Sequence, residues 1–189
     1  MSRKAQSKRW SGATIALHWT AAAVILALIA VGWVMRYGGL NAARTFDLYQ
    51  WHKSLGFVAL ALTAARLLAR ALAAAPAPSA AASWERRLPA SVQGLLTLLT
   101  IAAIASGWLV VSTAPLPVPT RFFGLFTVPN VAAPDPALFA AARLVHQLTA
   151  WSIVGLVAPH VAGTLKHHFV DRDDVLARML PRWAKRSER

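Results

Sequence analysis

Four histidines in this chain have the neighbours and spacing that metal-centred chemistry requires. They are His18 in IALHW, His52 in WHKSLG, and His146 and His160 at the two ends of the apolar stretch HQLTAWSIVGLVAPH. Over fourteen residues a helix turns to within about 40° of four full turns and advances about 21 Å, so His146 and His160 share one face at different depths. A lone histidine there could simply bond a neighbouring helix. Two imidazoles stacked on one apolar face need two partners, because each is costly to bury in hydrocarbon unsatisfied.

The elements that must position them are membrane spans. The 189-residue chain is 57% hydrophobic and only 14% charged, a composition that fits a membrane protein better than a soluble domain. Crossing a hydrocarbon core takes roughly 20 apolar helical residues, which places spans at about 13–36, 48–72, 89–113 and 139–168. The fold class expected is an all-α membrane protein, a four-transmembrane-helix bundle forming one domain over residues 1–189. Ala13 to Met35 is too long for a signal-peptide core and lacks a small-residue cleavage site, so it reads as a retained first span. GGLNAART, AAAPAPSAAAS and the Pro-rich APLPVPTRFFGLFTVPNVAAPDP have loop composition. The last is long enough for a short interfacial helix with Phe122, Phe123 and Phe126 on its apolar face.

Fifteen of the 20 Lys and Arg residues fall on the side of the two termini. The positive-inside rule therefore places both termini of this multi-pass membrane protein in the cytoplasm. This distribution accounts for most of the net charge of +13 without a nucleic-acid partner. Trp10, Trp33, Trp51, Trp84, Trp108 and Trp183 lie near span ends, where amphipathic rings favour the interface. The absence of cysteine excludes disulfides, thiolate zinc, covalent c-type haem and iron–sulfur clusters.

With this topology His18 matches the depth of His160, and His52 that of His146, giving one imidazole pair near each membrane surface. Zinc takes four protein ligands, or three and a water. Two imidazoles without carboxylates suit a six-coordinate haem, so the pattern points to two haem b groups with these four histidines as axial iron ligands. Arg66, fourteen residues after His52, comes near the cytoplasmic pair, where it could meet haem propionates or snorkel to the surface. Arg143, one turn before His146, could serve the outer haem or stand at the interface. Gly56, Gly155 and Gly163 offer room for a macrocycle or for helix packing, and Pro159 frees a carbonyl just before His160. His167 and His168 read either as solvated groups or as proton donors to a quinone.

The stretches IALHW, WHKSLG, RLLAR, FFGLFTVP and HQLTAWSIVGLVAPHVAGTLKHHF together resemble the bacterial cytochrome b561 family of four-helix di-haem inner-membrane proteins, over residues 8 to 182. The resemblance implies that His18 and His160 hold the cytoplasmic-side haem, and His52 and His146 the outer one. It also implies electron exchange with the quinone pool and, in the characterised bacterial type, oxidation of superoxide with reduction of ubiquinone. A different class of reading is a membrane-anchor cytochrome b subunit relaying electrons between quinone and a dehydrogenase or periplasmic partner. Gln93 stands near the start of the third span, where family members often have histidine, and any quinone or proton role of that histidine does not carry over. The expected surroundings are membrane lipid, ubiquinone, and superoxide or another small reductant.

Overall fold

The computed structural model describes residues 10–72, 83–116, 118–172 and 175–180, with side chains of the third helix described from residue 90. The basic N-terminal run, most of AAAPAPSAAAS and the C-terminal basic run with Trp183 lie outside the described residues, as does the Trp84 side chain. The elements are α1 (Gly12–Tyr37), α2 (Ala42–Leu72), α3 (Ser83–Thr113), β1 (Thr120–Phe122), β2 (Phe126–Val128), α4 (Pro136–Phe169) and α5 (Val175–Met179). Among the described residues, four helices are long and apolar enough to cross a membrane.

Local chemistry explains the helix starts. Ser11 caps α1 by accepting from the Thr14 amide. Asp135 caps α4 by accepting from the Ala137 and Leu138 amides, with Pro136 in the first turn, where its missing N–H costs nothing. The Asn41 side chain accepts from the Arg44 amide, so α2 begins before the apolar span and absorbs the second half of GGLNAART. Hydropathy marks only the lipid-crossing part of each helix; polar caps extend α2 and α4 beyond it.

α1 packs along α2 and α3 along α4, with α2 joining α3. Among the described residues, Ile15, Ala21, Ala59, Ala142 and Ile153 are the buried apolar side chains, a thin core for a bundle of this length. Buried hydroxyls satisfy themselves on their own helix. Thr100 donates to the Leu96 carbonyl, Ser106 to Ala102, Ser112 to Trp108 and Thr149 to Val145, as a bilayer requires.

The connection between α3 and α4 corrects the expectation of a short interfacial helix, for it forms an antiparallel β-hairpin. Phe122 pairs with Phe126 in register, and their rings stack at 5.1 Å. Phe123 at φ 47° and Gly124 at φ 77° form the turn, which the Leu125 amide closes on the Phe122 carbonyl. Two successive positive φ angles belong to a hairpin turn and exclude a helix. Pro119 and Pro129 also leave too short a segment between them for a stable helix.

Tertiary bonds hold the hairpin on α2. Ser54 is fully buried, at 0% exposure. Its hydroxyl accepts from the Phe123 amide at 2.9 Å and lies 2.9 Å and 3.1 Å from the Gln50 and Arg121 carbonyls to which it donates. Gln50 donates to the Pro119 carbonyl and accepts from the Arg121 amide, while Lys53 donates to Pro119. The Trp51 ring meets Phe123 edge-on. At the α3 end, the Trp108 indole donates to the Pro129 carbonyl and Ser112 accepts from the Val131 amide. At the opposite end of the bundle, the Trp19 indole of α1 donates to the Met179 carbonyl at 2.7 Å, tying α5 to the first helix.

Candidate functional site

The histidines occupy two levels. At the hairpin level, His52 of α2 and His146 of α4 face each other with ring centroids 6.2 Å apart and planes at 83°. His146 Nδ1 lies 2.8 Å from the Ala103 carbonyl oxygen of α3. A carbonyl only accepts, so Nδ1 carries the proton and Nε2 keeps the lone pair.

Each of these two rings rests against a glycine of a neighbouring helix. A Cβ on Gly32 of α1 would stand 3.5 Å from His52, and one on Gly107 of α3 would stand 3.0 Å from His146. Sequence reasoning missed both glycines, although each heads a Gly-Trp pair, Gly32-Trp33 and Gly107-Trp108. It singled out Gly56, Gly155 and Gly163 instead. A Cβ on any of these three would meet nothing within 4 Å, so they do not serve as helix-packing contacts.

At the other level, toward the chain termini, His18 of α1 and His160 of α4 lie within electrostatic reach of each other and of Arg66. His18, Arg66 and His160 are each half-buried. The described ion pairs join Asp171 to Lys166 and His167, so Arg66 has no carboxylate partner among the described residues.

The levels follow one register. His18 and Gly32 of α1, His52 and Arg66 of α2, Gln93 and Gly107 of α3, and His146 and His160 of α4 are each separated by fourteen positions. Four turns of helix thus carry every span from one level to the other.

Other expected residues lie elsewhere. Arg143 is exposed on α4, where it lines a surface groove of about 300 Å³ with Phe139, Ala140, Leu144 and Gln147. His167 Nδ1 is 3.2 Å from Asp171, beyond the His160 level, and His168 packs on Phe169.

The family profile described as prokaryotic cytochrome b561 matches residues 9–182. The chain is also 32% identical to "Cytochrome b561 homolog 2" of Escherichia coli (strain K12) over 173 residues, covering 92% of each chain. The chain belongs to the prokaryotic cytochrome b561 family. As a family member it is a multi-pass membrane cytochrome that works in electron transfer, with haem b as the prosthetic group.

The side chains fit that group. His18 Nδ1 and His52 Nδ1 are buried without a hydrogen-bond partner. No cluster of three or more His, Asp or Glu able to hold a bare metal ion occurs among the described residues. A metal–imidazole bond of about 2 Å on each side, plus the half-widths of two rings, comes to about 6 Å, the separation found between His52 and His146. Arg66, a cation in an apolar bundle with no carboxylate partner among the described residues, suits an acidic substituent on the group.

Proposed function

We propose that this cytochrome binds two haem b groups, oxidises superoxide to dioxygen at the hairpin end and passes electrons to ubiquinone. The observation that carries this reading is the arrangement of four carboxylate-free imidazoles in two levels, one of them a facing pair at 6.2 Å. His52 and His146 hold one haem and His18 and His160 the other, with both termini in the cytoplasm. Bound haem supplies reversible one-electron transfer, which links the single-electron oxidation of superoxide to the two-electron, two-proton reduction of ubiquinone.

The chain's own residues do the rest. With two histidines to hold each haem, a reductant would exchange electrons without itself binding the metal. Arg44 and Arg121 are exposed at the hairpin end, and Lys53 is anchored there on Pro119. Their field draws an anion toward the His52 level. Arg66 neutralises propionates at the other level, and His167, bonded to Asp171, supplies protons for quinone reduction.

Stopped-flow mixing of the purified cytochrome with superoxide tests the reading. Haem reduction is expected, slowed in Arg44→Glu and Arg121→Glu variants and by added salt. Absence of haem reduction overturns it, and reduction only by a co-purifying dehydrogenase assigns the membrane-anchor role instead.

A further inference from the structure

We infer that Gly107 is the positioning residue of the hairpin-level site, acting through His146. The inference rests on the haem reading above and concerns why α3, which contributes no histidine, shapes that site.

The geometry is a notch in the α3 backbone. Ala103 and Gly107 are one turn apart, and the Ala103 carbonyl oxygen, engaged within the helix by the Gly107 amide and lying 3.1 Å from the Ser106 hydroxyl, which donates to the Ala102 carbonyl at 2.6 Å, keeps a lone pair turned to His146. A side chain at position 107 would cover that lone pair. Its Cβ would stand 3.0 Å from His146 Cε1 and 3.1 Å from Nδ1, closer than a methyl group and an aromatic ring edge normally approach. Because the residue is glycine, the His146 ring lies against the helix and donates Nδ1–H to the Ala103 carbonyl at 2.8 Å. His18 Nδ1 and His52 Nδ1 make no such bond.

The bond has two consequences. It holds one tautomer, so Nε2 keeps its lone pair free to bind a metal. It also increases electron donation by the imidazole, because a ring whose N–H is shared with an acceptor gains imidazolate character. That stabilises the ferric state and lowers the potential of the haem at this level relative to one whose axial imidazole lacks the bond. Gly107 thus sets an energy step between the two levels without touching a substrate.

The test compares Gly107→Ala with Gly94→Ala, which adds the same methyl to the same helix where nothing lies within 4 Å. Redox titration and low-temperature electron paramagnetic resonance are recorded on the haem-loaded proteins. Gly107→Ala is expected to shift upward the midpoint potential of the haem that His146→Ala loses and to alter its low-spin signal, with the second haem unmoved. Gly94→Ala shifts neither. Unchanged potentials and signals in Gly107→Ala, or equal movement of both haems, overturn the inference. Retention of both haems by His146→Ala instead overturns the ligand assignment, so the two failures are distinct. In the reduced wild-type protein, 15N-histidine NMR should show His146 Nδ1 protonated; an unprotonated Nδ1 overturns the inference whether or not the variant folds.

Discussion

His146 donates its Nδ1–H to the Ala103 carbonyl at 2.8 Å, while His52, facing it at 6.2 Å, has a buried Nδ1 with no partner. The two rings of one level are therefore held by different means. One is fixed by a backbone hydrogen bond from α3, the other by packing against Gly32 of α1.

If these rings and their counterparts are axial ligands, single His→Ala variants must divide into two classes. Haem content and reduced-minus-oxidised spectra are expected to show His52→Ala and His146→Ala losing the same haem, and His18→Ala and His160→Ala losing the other. Loss from a mixed pair, such as His18 with His52, contradicts the two-level assignment.

Arg66 acts electrostatically on both His18 and His160. A nearby cation favours the less positive ferrous state, so Arg66→Gln should lower the potential of the haem at that level. The change expected from removing one nearby charge is some tens of millivolts. Arg66→Lys should restore part of it, and redox titration measures both.

Ser54 bonds α2 to the hairpin through the Phe123 amide and the Arg121 carbonyl. Ser54→Ala leaves these groups unsatisfied, a cost of about 1–3 kcal/mol. Hydrogen exchange at the Phe123 amide should then quicken by about tenfold to a hundredfold, while amides in the middle of α3 keep their protection.

Trp19→Phe removes the indole donor to the Met179 carbonyl and keeps an aromatic ring. A loss of about 0.5–1.5 kcal/mol is expected, read as about 2- to 10-fold faster limited proteolysis within residues 170–180. Cleavage at the hairpin should not change.

The four spans were legible because a bilayer imposes a simple requirement, long apolar helices, which hydropathy reads directly. Their ends were less so. Asn41 and Asp135 start α2 and α4 through side-chain bonds to amides, and such caps carry no hydropathy signal. The stretch around Phe122 to Phe126 read as an amphipathic helix because clustered aromatics say only that a segment is apolar. Its hairpin depends on a turn with positive φ at Phe123 and Gly124 and on Ser54, distant in sequence. Phe123 is a bulky residue in a left-handed conformation, held there by its amide bond to Ser54 and its contact with Trp51.

By itself, the sequence determined the number of spans, the positions of the histidines along them and the fourteen-residue register between the two levels, since helical pitch converts spacing into depth and face. The tertiary structure decided what stands behind each ring: Gly32 behind His52, Gly107 and the Ala103 carbonyl behind His146, and Arg66 beside His18 and His160. It also decided that a hairpin, not a helix, is held on α2. Those relationships join residues on different helices and loops, and their distances follow from how the helices pack, which no periodicity within a single helix encodes.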